Sequence, residues 1–280
     1  MATGDVDCGA SEERQRAAQL EMSESGRIWL IGGTSESAAI AREFLKLGVP
    51  FVVTVAAPEA ARLYPPETQV RVGRLRFSQC EKFLRAEGTI AIVDASHPFA
   101  AGVSEMAIGA ARMASLPYLR FERPAVALNG SERGINLANF NSLLAGNYLS
   151  GQRVLLTVGC RILPSFQPWQ ARSTLFARVL PRPESLDVAL ASGFTSDRLI
   201  ALRPPVPLEL ELELCRAWAI SLLVTKASGT AGGEAIARQA AAALEIPLVT
   251  IARPAVAYPQ QTDAIATVVA FSRQAVVSSS

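Results

Sequence analysis

Residues Asp94–Ala100 read D-A-S-H-P-F-A and contain the only histidine among 280 residues. Asp94, Ser96 and His97 lie within four positions, and each can take part in hydrogen bonding or proton transfer. The apolar run Thr89–Val93 leads into them. A small-residue helical pattern follows, with Phe99, Val103, Met106, Ala107, Ala110 and Met113 on one stripe. The segment is therefore a strand that ends in a polar crest and continues as a helix. In open α/β sheets such crests stand at the carboxyl ends of strands, where ligands bind. Two uses of His97 stay open. It is either a capping residue, with Pro98 opening the helix, or a group that contacts substrate or cofactor and donates a proton. Ser96 and Asp94 carry the same alternatives.

A second constellation is Gly32-Gly33-Thr34-Ser35-Glu36, between the apolar strand Ile28–Ile31 and a helical pattern with Ile40, Phe44 and Leu47 at helical spacing. Glycines there let a backbone approach a pyrophosphate, and a helix N-terminus offers N–H groups and a positive dipole end. Thr34 or Ser35 would cap the helix or bind a phosphate oxygen. The third glycine of G-x-G-x-x-G is absent, so an ordinary capped strand–helix turn is the competing reading. The next strand, Phe51–Val55, continues into Ala56-Ala57 with no acid before Glu59. A carboxylate at that point is what binds the ribose 2′-hydroxyl of NAD. Its absence favours NADPH, with Thr54, Arg62 or Arg74 as contacts for the 2′-phosphate and Asp94 as a further cofactor contact.

A third constellation, Val224–Gly233 (V-T-K-A-S-G-T-A-G-G), again joins a strand to a helix through a small polar loop. Lys226 adds a positive charge to an anion-binding loop containing Ser228 and Gly229; a solvated lysine on a glycine loop is the alternative. Thr157-Val158-Gly159-Cys160-Arg161 is a similar crest, and Arg120, Arg123 and Arg253 each follow or end a strand. Several arginines at strand ends suit a substrate with several carboxylates. Candidate catalytic residues are thus His97, Ser96 and Lys226. Candidate cofactor contacts are Gly32, Gly33, Thr34, Ser35, Glu36, Thr54, Arg74 and Asp94. Candidate substrate contacts are Arg120, Arg123, Arg161, Lys226, Ser228, Gly229 and Arg253.

The elements that position these residues alternate strand with helix from Arg27 onward, which implies parallel sheets. Further strands are expected at Gln69–Val72, Tyr118–Phe121, Arg153–Val158, Thr174–Val179, Leu199–Leu202, Leu222–Thr225 and Leu248–Ile251. Further helices are expected near Glu184–Ser192, Leu208–Ala217 and Glu234–Leu244. The segment Ala125–Gly151 loses its apolar runs and gains Asn and Gly, which places a crossover near residue 135. The chain length suits two domains of roughly 100–150 residues. The expectation is an α/β chain of two Rossmann-like lobes with mostly parallel sheets and an active-site cleft between them. Residues 1–25 would form a flexible extension with a short helix over Glu12–Met22, residues 26–135 an NADPH-binding lobe, and residues 136–280 a substrate lobe.

Composition bounds the function classes. Half the residues are hydrophobic, yet the apolar runs fall far short of the ~18 residues of a membrane span. The charged, core-less first 25 residues do not read as a secretory signal. Cys8, Cys80, Cys160 and Cys215 are widely separated, with no metal-ligand spacing. A reduced, cytoplasmic protein without metal is expected. A net charge of +2 with no Lys/Arg cluster gives no footprint for nucleic acid.

The blocks L-I-G-G-T-S-E-S, V-D-A-S-H-P-F-A, P-Y-L-R-F-E-R-P, L-L-T-V-G, V-T-K-A-S-G and I-P-L-V-T-I-A-R-P occur in the order found in precorrin-6A reductases. The resemblance spans about Arg27 to Ala270, and its discriminating pieces are H-P-F-A and T-K-x-S-G. Ser96 stands where D-A-T-H-P-F has threonine and keeps the hydroxyl. Residues 56–63 match the A-G-R pattern of some members only loosely. The resemblance implies NADPH-dependent reduction of one macrocycle double bond of precorrin-6A to give precorrin-6B in cobalamin biosynthesis, an oxidoreductase acting on CH–CH groups. Some members take the cobalt-containing macrocycle. The implied partners are the tetrapyrrole substrate and, transiently, neighbouring pathway enzymes, with no membrane or nucleic acid. An NADPH oxidoreductase with an unrelated small substrate and a non-enzymatic nucleotide or tetrapyrrole sensor are the competing classes.

Overall fold

The computed structural model describes residues 26–126 and 134–279. The N-terminal extension, its short helix and Cys8 lie outside the described residues, as do Asn129 and Gly130 of the expected crossover. In chain order the elements are β1 (Arg27–Ile31), α1 (Ser35–Lys46), β2 (Phe51–Val55), α2 (Pro58–Ala61), β3 (Val70–Val72), α3 (Phe77–Ala86), β4 (Thr89–Asp94), α4 (Ala101–Met113) and β5 (Tyr118–Phe121). There follow β6 (Gly134–Leu137), α5 (Phe140–Ala145), β7 (Arg153–Leu156), a 3-10 segment (Cys160–Trp169), β8 (Thr174–Val179), α6 (Pro183–Ala191), β9 (Leu199–Ala201) and α7 (Leu208–Ala217). The chain closes with β10 (Leu222–Lys226), α8 (Glu234–Ala243), β11 (Leu248–Ile251), β12 (Gln261–Thr262) and α9 (Ile265–Ser279).

Two compact units result. The first holds a six-stranded sheet in the order β12-β5-β4-β1-β2-β3, the second a six-stranded sheet in the order β6-β11-β10-β7-β8-β9. Every strand pairing is parallel. Read from β3, the first sheet has the 3-2-1-4-5-6 order of dinucleotide-binding folds, with β12 as its sixth strand. The strand order reverses between β1 and β4 in the first sheet and between β7 and β10 in the second.

Strands buried on both faces explain the continuous apolar runs. In β1, Ile28 and Leu30 pack on one face with Phe44 of α1, while Trp29 and Ile31 pack on the other with Cys80 and Leu84 of α3. In the second unit Leu155, Phe176, Leu223 and Leu248 form the core with Ala237 and Ala240 of α8. Gly48 ends α1 in the left-handed region, at φ 66°, as its position after the apolar stripe suggests. Leu47, expected on that stripe, lies exposed just past the helix.

The helix after the H-P-F-A block differs from expectation. It begins at Ala101 rather than at Pro98, and its buried face is Ser104, Ala107, Ile108, Ala110 and Ala111. Val103 and Met113 of the expected stripe are exposed. Small residues let α4 lie close to the sheet, so alanines and a serine take the core positions that larger side chains were expected to fill.

The units also divide differently from a single boundary near residue 135. The second unit is 124–255, and residues 256–280 return to the first. The physical reason is twofold. Gln261 and Thr262 of β12 pair with Arg120 and Phe121 of β5. Val268 of α9, wholly buried, joins the core of Ile28, Leu30, Phe44 and Val93. The segment expected to be a crossover instead supplies β6, an edge strand beside β11.

Val268→Asp tests this assignment, since it places an uncompensated carboxylate in the first unit's core. A loss of about 3 kcal/mol, or roughly 10 °C in Tm, is expected. An unchanged melting curve would show that α9 does not complete that core.

Candidate functional site

Most of the residues singled out by type and spacing lie at the two places where strand order reverses; Thr54 on β2, Arg74 after β3, Arg120 and Arg123 on and after β5, and Arg253 after β11 do not. In the first sheet, the turn after β1 and the crest after β4 are neighbours, because Ile31 and Asp94 are partners in the β1/β4 register. In the second sheet, the crest after β7 and the loop after β10 are neighbours likewise, with Leu156 opposite Val224. Ligands in open α/β sheets bind outside the carboxyl ends of strands at such reversals.

Asp94 governs the first crest. It is fully buried, and its carboxylate accepts four hydrogen bonds. Oδ1 takes the Ser96 backbone N–H at 2.9 Å and Arg120 Nη1 at 3.0 Å. Oδ2 takes the Ser104 hydroxyl at 2.6 Å and the Tyr118 hydroxyl at 2.8 Å. Burial first, and then the Asp94 charge, raises the Tyr118 pKa, so the phenol stays a donor. Arg120 continues the network to Glu122 at 2.8 Å and to the Ser96 hydroxyl at 3.0 Å, with the Tyr258 ring 5.3 Å from its guanidinium. Burial disfavours the Arg120 charge, but Asp94 and Glu122 outweigh it and its pKa is raised.

The glycine turn is built from side chains that meet inside it. Thr34 caps α1, accepting the Ser37 backbone N–H at 3.1 Å, and its hydroxyl donates to the Ala95 carbonyl at 2.9 Å. That second bond ties the β1 turn to the β4 crest. Gly33 stands at φ 99°, a conformation open to glycine. Glu36 forms an ion pair with Arg123 at 2.7 Å. Thr34, Glu36, Ser96, Pro98, Arg120 and Arg123 line a small pocket on this crest.

In the second unit, Lys226 ends β10 with its amine beside Gly159 of the facing crest. Burial, reinforced by the charge of Arg161, pushes its pKa down to about 8. The Gly229 N–H donates to Glu234 at 2.9 Å, and Glu234 is neutralised by Arg238 at 2.9 Å. Arg253 Nε donates to the Ala227 carbonyl at 2.7 Å and so holds the loop from behind.

With this geometry in place, similarity to known proteins is decisive. The family model described as precorrin-6x reductase CbiJ/CobK matches residues 27–273. The chain belongs to that family. It is 46% identical over 241 residues to the cobalt-precorrin-6A reductase of Synechocystis sp., covering 84% of this chain and 92% of the relative. It is 34% identical over 239 residues to the precorrin-6A reductase of Rhodococcus erythropolis, covering 81% and 89%. A solved structure, CobK precorrin-6A reductase, shares the fold with a TM-score of 0.76 at 24% identity, covering 89% of this chain and 97% of the other.

For a precorrin-6x reductase, several expected site residues take structural positions. Arg120 is 1% exposed and Asp94 wholly buried, and the two are paired with each other at the crest. The Ser96 hydroxyl is buried on Arg120. Thr54 is buried in the sheet and accepts from the Trp29 indole at 2.8 Å. Arg123 is nearly buried against Glu36. The Phe99 N–H donates to His97 Nδ1 at 3.1 Å, a bond within the loop before α4, whose N-cap is Ala100 with no side-chain cap. An imidazolium would carry a proton on that nitrogen and lose the bond. Gly33, Ser35, Arg62, Arg74 and Arg161 are exposed, and Gly32 and Glu36 lie half-buried at the turn. Ser228 and Gly229 are buried within their loop.

Ser104, Tyr118, Glu122 and Tyr258 were not anticipated. One signal was available: Tyr118 and Arg120, two apart in a strand, share a face, so a charge inside an otherwise apolar strand demands a partner on the adjacent one.

Asp94→Asn keeps the shape of the side chain and removes its charge from a buried pair. A loss of about 3 kcal/mol is expected from urea titration. Unchanged stability with weakened cofactor binding would instead make Asp94 a ligand contact.

Proposed function

We propose that this precorrin-6x reductase uses NADPH to reduce one macrocycle double bond of precorrin-6A, giving precorrin-6B in cobalamin biosynthesis. The observation that carries this reading is that four of the six family blocks end the strands at the two order reversals, β1 and β4 in one sheet and β7 and β10 in the other. One reversal is suited to a dinucleotide and the other to an acid.

The first crest fits a dinucleotide. Thr34 and Ser37 satisfy each other's backbone N–H groups, and among the described residues the Ser35 and Glu36 amides have no such partner at the N-terminus of α1. Unpaired amides at a helix N-terminus are an anion site. Beyond β2, Ala56 and Ala57 offer no carboxylate to repel a 2′-phosphate, and Arg62 and Arg74 are exposed nearby in sequence. These features support NADPH over NADH. When bound, the cofactor supplies the hydride, and the reaction also needs a proton delivered to the neighbouring ring carbon.

Lys226 is the residue suited to deliver that proton. Its ammonium is desolvated, and its pKa, pushed down to about 8, lies near working pH, where a general acid is most effective. The positive charges of Lys226 and Arg161 also favour the carboxylate side chains of the macrocycle. A second reading is favoured by the Synechocystis relative, whose name specifies the cobalt-containing substrate: the chain takes cobalt-precorrin-6A by the same chemistry.

Incubation with each macrocycle and either NADPH or NADH, followed by absorbance and mass, tests these readings. A gain of two hydrogens in one macrocycle with NADPH is expected. No reduction of either would overturn the function, and equal rates with NADH would overturn the cofactor preference.

Lys226→Met should lower kcat by about 10²-fold while the macrocycle still binds, and the wild-type rate should fall as pH rises through about 8. A normal rate in the variant excludes Lys226 as the acid. Stability gives an independent readout. The unfolded chain holds this proton up to about 10.5 and the folded chain only to about 8. Unfolding free energy should therefore rise with pH across that window, and Lys226→Met should abolish its contribution.

A further inference from the structure

Tyr64 is not part of the glycine turn, yet it reaches into it from 31 residues downstream of Gly33. The Gly33 N–H donates to Tyr64 Oη at 2.8 Å, and Tyr64 Oη lies 2.6 Å from Ser37 Oγ. Ser37 Oγ donates to the Thr34 carbonyl at 2.8 Å and accepts the Thr34 N–H at 3.1 Å. Either hydroxyl can donate in the Tyr64–Ser37 contact. The groups form one linked chain: Gly33 N–H, Tyr64 hydroxyl, Ser37 hydroxyl and the Thr34 backbone.

This chain reassigns the two glycines. A Cβ at Gly32 would stand 2.1 Å from Tyr64 Oη, so Gly32 makes room for the tyrosine rather than for a phosphate. A Cβ at Gly33 would meet only Ala60, at 4.0 Å, and its requirement for glycine is the φ of 99°. Free of its tyrosine bond, the Gly32–Gly33 peptide has little to stop it from rotating, because both residues lack side chains. The bond to Tyr64 holds that peptide in one orientation, with its amide committed to the tyrosine.

We propose that Tyr64 is the positioning residue of the nucleotide turn. Its hydroxyl pins the Gly33 amide inward and sets Ser37, so that the Ser35 and Glu36 amides are presented to the pyrophosphate. The proposal rests on the reading of this crest as the NADPH site. Tyr64 also follows α2, which lies just beyond β2. It thereby links the segment expected to meet the ribose 2′-phosphate to the turn expected to meet the pyrophosphate.

Tyr64→Phe keeps the ring and removes the hydroxyl. NADPH titration of the intact protein at a temperature well below its Tm should show Kd raised about tenfold, the scale of one lost hydrogen bond to an organising group. KM for NADPH should rise with it, with kcat and the macrocycle KM near wild type. Ser37→Ala should weaken NADPH binding by a few-fold, and the double variant should be no worse than Tyr64→Phe, because both interrupt one chain. If Tyr64→Phe does not fold, the Ser37→Ala titration alone decides. A lowered Tm with unchanged NADPH Kd in the folded variants would leave Tyr64 a packing residue and overturn the proposal. Failure of the wild-type protein to bind NADPH would instead overturn the cofactor reading on which it rests.

Discussion

A carboxylate and a guanidinium buried side by side at the end of β4 hold the first crest together. Asp94 and Arg120 are opposite each other in the β4/β5 register, so their meeting is a consequence of strand pairing. An isolated charge at this depth would cost several kcal/mol, and the pair is tolerable because nearly every lone pair and proton has a partner. The bonds then radiate: Ser104 ties α4 to the pair, Ser96 ties the loop to it, and Tyr258 brings in the returning C-terminal segment. Through the Thr34–Ala95 bond the arrangement reaches the glycine turn as well. A crest held this way fixes the backbone at the N-terminus of α1 before any ligand binds.

Most of the strands were legible because they are buried on both faces. Phe51–Val55, Tyr118–Phe121, Thr174–Val179 and Leu248–Ile251 are largely apolar or aromatic stretches, two of them interrupted by a single arginine, and their limits are those read from the sequence. Two of the four edge strands, β12 and β6, escaped for the opposite reason. Gln261–Thr262 is short and polar, and Gly134–Leu137 shows one face to solvent. An edge needs no hydrophobic run and leaves no hydrophobic signature. The C-terminal helix was missed although it is apolar: of its residues only Val268 and Ser272 are fully buried, so no single stripe marks a buried face.

The location of the candidate site was legible, and the roles of its residues were less so. Residue type at a strand end marks a crest, which is why the glycine turn, the H-P-F-A block and the T-K-A-S-G loop were found. Type does not reveal whether a charge faces outward to a ligand or inward to a partner. Arg120, Asp94 and Thr54 turned inward because β-strand alternation aimed them at neighbours on adjacent strands. Lys226, proposed as the acid, is a strand-end lysine whose burial beside Arg161 lowers its proton affinity, which its type alone does not reveal. Tyr64 could not have been found from spacing: nothing in a leucine-tyrosine-proline-proline stretch points to a glycine turn far upstream.

The first sheet takes its last strand from residues that follow the whole second unit. During synthesis, β1 to β5 leave the ribosome early, but their edge beside β5 stays bare until β12 is made. The second unit suffers no such delay, because its own outlying strand, β6, precedes the rest of it. Contacts that join distant parts of a chain form slowly and leave sheet edges exposed meanwhile. The half that is translated first is therefore the half that closes last, and its unpaired β5 edge is the point most exposed to misassociation in a nascent chain.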